Sequence, residues 1–579
     1  APANPADGPT SLPHPAPASP AGGPTSPPRP APANPAGGPA SPPRKMAGAA
    51  LLLSLATLVS RVLGLVREQI FAALLGAGFY GDAFTTAFRL PNLLRDLFAE
   101  GALSAAFQPA FQATRKNEGL EVAQRLANLV ATCLLIVVSA LVVLGVIFAP
   151  EMVEKWATGF SQVPGKAELT VQLTRIMMPF LLLVSLAALA MGMLNAEGRF
   201  TPPALAPALF NLATVLTGLM LWLFGVGQSR GAAIGWAVAT LGGGALQLGL
   251  QLVPLYRSGY RFTLALDLRD NRLRGVIKAM APATIGLMAT QVNIYISSKF
   301  ASTEQGATAC LYYAFRVMQL PIGMFGVAVG TVALQRAADT ASEADLKAAI
   351  EGVRETLRRG LRLVTFYSLP TAVAFYVLAE PILGVIYQHG AFKAADTQAT
   401  AAALRYYSLG LICYSAVKVV VPIYYALKLV RIAVLATITT VLTSLLFNIT
   451  LHPLYGYRAL ALSTSVGAAV NLLVLLLVFR HRYGGLMPPA MVLALVRMTV
   501  AAAVMGLVLW ALAPLLLGPA VHAAGLTPGP DRVPLWRAIG GLGVLTGVGG
   551  LAYAGLCGLM QVGEVSDLLS AVRRRLPRQ

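Results

Sequence analysis

The sequence predicts an all-α polytopic membrane protein, on three observations. Apolar residues make up 56% of the 579-residue chain and charged residues only 12%, about half the charged share of a soluble protein. Mean hydropathy is +0.67. Beyond the first 45 residues the chain reads as about fourteen apolar segments, each near the ~20 residues that span a bilayer as a helix. The formal net charge of +20 lies mostly between those segments. It therefore reads as topology and contact with membrane lipids, not as nucleic-acid binding.

Residues 1–45 are three fifteen-residue repeats, APANPADGPTSLPHP, APASPAGGPTSPPRP and APANPAGGPASPPRK. Proline, alanine and glycine dominate them, and such a composition cannot bury a core. A disordered Pro/Ala/Gly-rich tail is expected, with no apolar h-region of a signal peptide. Met46, directly after Arg44 and Lys45, is a candidate internal start.

The apolar segments fall at 49–75, 82–112, 122–149, 169–195, 202–227, 231–255, 275–300, 309–335, 355–379, 397–426, 431–451, 457–479, 490–517 and 535–560. Alternate loops are basic, for example around Arg115, Arg257–Lys278, Arg336–Arg362 and Arg480–Arg482, as is the tail Arg573–Arg578. The positive-inside bias places both termini in the cytoplasm. The polar stretch 341–362 reads as an amphipathic cytoplasmic helix leading into the ninth segment.

Sliding segment 2 onto segment 8 aligns TTAFRLPNLLRDLFAEGALSAAFQ (85–108) with YYAFRVMQLPIGMFGVAVGTVALQ (312–335). The offset of 227 residues also superposes segments 1–6 on segments 7–12. Two pseudo-symmetric six-helix lobes around a central cavity are expected, 46–256 and 257–482, with two further helices in 483–579.

Charges inside the apolar segments are the functional signal. Arg61 and Arg67 interrupt the first segment, although each costs roughly 2.5–3.5 kcal/mol at the bilayer centre. Six residues separate them, about 9 Å of rise and 120° of rotation on a straight helix. A bend at Gly64 would turn both toward one cavity; a straight helix would give two separate contacts. Segment 2 carries Asp82, Arg89, Arg95, Asp96 and Glu100, with Pro91 expected to kink or break it. Segment 8 carries Arg316. Lys299 reads as an interface anchor and Lys418 as a further cavity candidate. Guanidinium groups suit bidentate recognition of phosphate, so an anionic ligand is expected, bound by Arg61, Arg67, Arg95 and Arg316. Asp82 and Glu100 are candidate gate partners, and Gly64 and Pro91 candidate bend points.

Nothing points to an enzyme. Cys133, Cys310, Cys413 and Cys557 form no CxxC pair, and the five histidines lack metal-ligand spacing. No GxSxG, HExxH or P-loop pattern occurs. No metal and no cofactor are expected.

At these residues the chain resembles the MurJ (MviN) lipid II flippase family of the multidrug/oligosaccharidyl-lipid/polysaccharide exporter superfamily. The likeness is densest in SRVLGLVREQIFAALLGAG (60–78), GDAFTTAFRLPNLLRDLFAEGALSAAFQPAF (81–111) and YYAFRVMQLPIGMFGVAVGT (312–331). The resemblance implies fourteen helices. It also implies transport of undecaprenyl-pyrophosphate-linked disaccharide pentapeptide across the bacterial plasma (inner) membrane, from the cytoplasmic to the periplasmic leaflet. It places the family's cavity arginines on Arg61, Arg67, Arg95 and Arg316, its helix-2 acid on Asp82, and further matches on Ser60 and Glu100. Segments 13 and 14 would form the groove for the polyprenyl tail.

Two places depart from the family pattern. Residues 426–434 read ALKLVRIAV, without the usual acid and proline of that turn, and Gln335 stands where proline is common. Some members are proposed to use a carboxylate sodium site, whereas segments 7, 11 and 12 offer only Asn293, Thr443, Asn448 and Asn471 here. Coupling to the membrane potential or to a monovalent cation is the expectation, in a monomer working by alternating access. The rival readings are an exporter of another undecaprenyl-linked glycan of O-antigen type, a cation-coupled drug exporter, and a membrane scaffold without transport.

Overall fold

The computed structural model describes residues 44–96, 103–341, 346–518, 534–566 and 570. Most of the proline-rich repeats, Glu100 and the basic C-terminal tail lie outside these residues. Contacts separate residues 1–51 from one compact body, Leu52–Gln579.

No strand occurs among the described residues. In chain order the main helices are α1 (Arg44–Leu75), α2 (Phe79–Arg95), α3 (Ser104–Glu118), α4 (Leu120–Ile147), α5 (Ala149–Trp156), α6 (Lys166–Met177), α7 (Phe180–Ala196), α8 (Thr201–Leu223) and α9 (Arg230–Arg257). They continue with α10 (Asn271–Ala301), α11 (Ala307–Pro321), α12 (Val327–Ala341), α13 (Leu346–Val377), α14 (Ala379–Tyr387), α15 (Ala394–Ala426), α16 (Val430–Tyr455), α17 (Tyr457–Tyr483), α18 (Pro489–Leu517) and α19 (Leu535–Leu559).

Among the described residues, 11 helical stretches are long and apolar enough to cross a membrane. They correspond to the expected segments 3–6 and 8–14. The count covers the described side chains alone, which leave out part of segments 1 and 7; both are helical, as α1 and α10. Segment 2 is two helices of 17 and 15 residues, α2 and α3, either side of residues 97–102.

Proline acts differently at each position. α2 runs through Pro91 without ending, and the ring is buried. Pro179 does interrupt segment 4, between α6 and α7. Pro321 is followed by a π turn, Ile322–Gly326, that joins α11 to α12. Asp96 has the same wide geometry directly after α2, and the 227-residue offset carries it onto Gly323. A π turn widens the helix at one point and is common at functional sites, so the aligned segments share a local irregularity as well as residues. The polar stretch near 346–362 and the ninth span are one helix, α13, 32 residues long.

The helices α2–α9 pack largely among themselves, and α11–α17 do likewise. α10 touches α3 and α16, and α2 meets α11. α18 and α19 pair with each other and lie against α13. Arg362 on α13 adds a two-pronged ion pair to Glu564 beyond α19, at 2.6 and 2.9 Å. The largest apolar core joins Phe71, Phe84 and Trp236 to Tyr313, Tyr387 and Phe392. Its rings meet at centroid distances near 5 Å, such as Phe71–Phe84 at 5.0 Å and Tyr313–Tyr387 at 4.9 Å, in the tilted geometry aromatic pairs favour.

Around that core the end of α1 is sewn to distant segments. A helix leaves its last carbonyls unpaired, and here Ala391 N donates to Ala73 O at 2.8 Å and Gln228 N donates to Leu74 O at 2.8 Å. Tyr313 donates its hydroxyl to Gly76 O at 3.1 Å. Gly390 makes this approach possible: its φ is +58°, and a Cβ there would lie 2.4 Å from Ala73 O. Gly390→Ala is therefore expected to cost at least about 1–2 kcal/mol from backbone conformation alone, plus the clash, and to lower the Tm in detergent. Gly275→Ala, in open space on α10, is expected to be neutral or to stabilise by about 0.5–1 kcal/mol.

Candidate functional site

The central feature is one carboxylate held between two guanidiniums. Glu68, on α1, is buried, with 8% of its side chain exposed. It forms an ion pair with the adjacent Arg67 and a second with Arg316 of α11, Nε to Oε1, at 3.7 Å. Tyr312 donates its hydroxyl to the same oxygen at 3.1 Å. Tyr312 and Arg316 stand one helical turn apart, and the Arg316 guanidinium lies 4.9 Å from the Tyr312 ring centre. Burying a charge in a membrane requires partners, and these three residues supply them to Glu68 from two helices 244 positions apart.

Arg67 is positioned from a third helix. Its Nη1 donates to Asn211 Oδ1 on α8 at 3.2 Å, and its guanidinium lies 5.5 Å from the Phe210 ring centre. Asn211 in turn donates to the Ser60 carbonyl at 3.0 Å. That contact gives Gly64 a packing role. α1 runs as a helix through Gly64, and a Cβ there would come 3.3 Å from Asn211 Nδ2. Gly64 serves close approach between α1 and α8, and Ser60 contributes its backbone carbonyl.

With α1 unbroken, Arg61 and Arg67 take different neighbours. The Arg61 side chain reaches the π turn, with Nη2 3.8 Å from where a Gly323 Cβ would stand. It has no carboxylate partner among the described residues. Arg95 pairs with Asp96 at 3.0 Å, and Gln291 of α10 donates to the other Asp96 oxygen at 3.4 Å. No described contact joins Arg95 to the Glu68 cluster. Arg89, two residues before Pro91, donates to Ser298 of α10. The structure thus brings Arg67 and Arg316 together on Glu68, while Arg61 lies against the π turn and Arg95 pairs with Asp96. Glu68, Asn211 and Tyr312 complete the cluster and escaped the sequence reading. Their signal was there: an acid in an apolar segment is as costly as the two arginines beside it.

Exposure separates the two kinds of charge. The side chains of Arg316 and Arg67 are 37% and 17% exposed, against 8% for Glu68. An incoming anion would meet guanidinium first. A small cavity borders Arg67 and Glu68, walled by Phe71, Phe84, Phe88, Phe210 and Trp236.

Asp82 belongs to a second, wholly buried junction. Lys166 of α6 donates to Oδ2 at 2.7 Å, and the side chains are 0% and 1% exposed. Gly306 N donates to Oδ2 at 2.7 Å and Ala309 N to Oδ1 at 2.9 Å, so the carboxylate also caps the N-terminus of α11. Lys166 lies 4.2 Å from the Phe160 ring centre. One side chain on α2 thereby ties α6 to α11. Gly159 and Gly306 let backbone approach there, since Cβ atoms would fall 2.2 Å from Ser302 O and 2.9 Å from Ala77 O. No group of three or more His, Cys, Asp or Glu residues placed to hold a metal ion occurs among the described residues.

The family model described as lipid II flippase MurJ matches residues 71–522. The lipid II flippase MurJ of Burkholderia cenocepacia is 34% identical over 439 residues, covering 75% of this chain and 84% of that one. A probable lipid II flippase MurJ from Rhizobium tropici is 34% identical over 430 residues, covering 74% of this chain and 79% of that one. A solved lipid II flippase MurJ in an inward closed conformation superposes with a TM-score of 0.72 at 23% identity, over 90% of this chain and all of the other. A multidrug resistance MATE family transporter, inward-facing, superposes at 0.60 with 16% identity, over 76% of this chain and 98% of that one, which is a likeness of fold. On the length of the family match and the identity to its members, the chain belongs to the lipid II flippase MurJ family, membrane transporters and not enzymes.

Proposed function

We propose that this protein moves lipid II from the cytoplasmic to the periplasmic leaflet of a bacterial inner membrane. The observation that carries the reading is the convergence of Arg67 and Arg316, from α1 and α11, on the single carboxylate of Glu68. The pyrophosphate of the substrate displaces Glu68 from the guanidiniums, which then neutralise it through charge-assisted hydrogen bonds. Arg61 and Arg95 meet further anionic or polar groups of the headgroup, away from the pyrophosphate. The lipid tail stays in the bilayer or in the groove of α18 and α19.

Residues 46–256 and 257–482 are the two lobes that rock, with both termini cytoplasmic. In that orientation the junction of Asp82, Lys166, Gly306 and Ala309 closes the periplasmic end and must part for release. Glu100, outside the described residues, is a second gate acid in this scheme. The membrane potential, about 2.3 kcal/mol per charge per 100 mV, or a monovalent cation drives the cycle, and the protein works as a monomer.

Expression in a bacterium depleted of its own flippase tests the reading. Growth should return together with lipid II accessible at the periplasmic leaflet, and deletion of residues 1–45 should leave both intact. Failure to restore either in stably expressed protein would exclude lipid II and favour another undecaprenyl-linked glycan.

A further inference from the structure

We infer that the segment between α9 and α10, residues 258–270, is a membrane-inserting strap whose outer edge lies among lipid acyl chains. It carries no helix, and exposure alternates along 264–268 as it does along an extended chain. Side chains alternate sides along such backbone, and here one side is apolar and uncovered. Phe262, Leu264, Leu266 and Leu268 are 58%, 73%, 58% and 59% exposed. Four exposed apolar side chains in register form a continuous stripe, not the scattered surface leucine of an ordinary loop.

The other side is fastened to α4. Gln124 and Asn128 donate to the Arg261 carbonyl at 2.9 and 3.2 Å, and Asn128 also donates to Thr263 Oγ1 at 2.8 Å. Ala265 N donates to Thr132 Oγ1 at 3.1 Å. Gln124, Asn128 and Thr132 are spaced i, i+4 and i+8, one stripe of α4. These bonds pair two strap backbone groups, Arg261 O and Ala265 N, with α4, and the remaining ones fit the hydrated interface better than the hydrocarbon centre.

The depth follows from α4. Its residues Leu126–Ile147 carry no charge. Thr132 stands six residues into that run, about 9 Å at 1.5 Å per residue. Ala265 is held at that level. Beyond Ala265 the chain returns to charge: Asp267 pairs with Arg125, at the margin of the run, at 3.5 Å, and Arg272 pairs with Glu118 at 2.6 Å. The strap therefore dips to a depth of about 5–10 Å, the level of interfacial segments. The exposed Arg257, Arg261, Arg269 and Arg274 flank it at the height of phospholipid phosphates. A protein partner would have to enter the bilayer to cover the stripe, so lipid is the occupant the placement favours.

Site-directed spin labelling of the full chain in phospholipid nanodiscs tests this, with the four native cysteines replaced by alanine. Nitroxide on Leu264→Cys should be relaxed by oxygen and shielded from a water-soluble nickel chelate; on Arg269→Cys the reverse should hold. Phe262→Cys and Leu266→Cys repeat the test should Leu264→Cys fail to fold, and each labelled protein must keep the parent Tm. A Leu264 label as open to the chelate as the Arg269 label overturns the inference. A label shielded from both reagents also overturns it, because a protein surface would then cover the stripe.

Discussion

Arg67→Ala and Arg316→Ala are each expected to abolish lipid II flipping in protein that still inserts and folds. Each guanidinium makes a charge-assisted contact, and losing one such hydrogen bond costs about 1.5–3 kcal/mol, roughly ten- to hundredfold in binding. Both cations are expected to be needed, because they pair with one carboxylate from helices assigned to different lobes. Arg316→Lys should recover part of the activity, since a point charge replaces a planar fork. Glu68→Gln is expected to behave differently. It removes the internal competitor for both guanidiniums, so substrate binding should persist or tighten while turnover falls. A vesicle flipping assay run beside complementation separates the two effects. Arginine variants with wild-type flipping would rule out the cluster as the carrier of the pyrophosphate.

Breaking the Asp82–Lys166 pair should give the largest loss of stability. Removing one partner of a buried ion pair costs about 3–5 kcal/mol, because the other charge stays buried without compensation. Lys166→Met leaves the Asp82 carboxylate with only its two backbone donors. Asp82→Ala leaves the buried ammonium and also frees Gly306 N and Ala309 N at the start of α11. The aspartate change should therefore lower the Tm in detergent more than the lysine change. The double variant should be more stable than Asp82→Ala alone, because no unpaired ammonium remains. If thermal unfolding finds both single variants unchanged, Asp82 is not the fastener between α2, α6 and α11.

The fold was legible where a single physical property decides it. Charge-free apolar runs such as 126–147 or 498–517 announce spans whatever their surroundings. The alignment of Arg89 with Arg316 pointed to related helices in the two halves, and the wide turns at Asp96 and at Ile322–Gly326 were not legible in it. What failed was local and depended on partners. Pro91 and Pro179 look alike in sequence, yet α2 continues through one while segment 4 breaks at the other. Gly64 stood out because two charges needed reconciling, and only the fold shows Asn211 packed across from it.

The site was legible as a set of cations but not as an arrangement. Arg61, Arg67, Arg95 and Arg316 stood out by the cost of burying them, whereas Glu68 hid beside Arg67. Its partners, Tyr312 and Arg316, are 244 and 248 residues away. Lys166 read as a loop residue ahead of segment 4, and only the fold sets it against Asp82.

The most direct test of the central claim is equilibrium binding of lipid II to the purified protein and its variants, with undecaprenyl pyrophosphate as competitor. The account predicts that the competitor displaces lipid II, that Arg67→Ala and Arg316→Ala each weaken binding about tenfold or more, and that Glu68→Gln does not weaken it. Unchanged affinity in both arginine variants, or a competitor without effect, would contradict it.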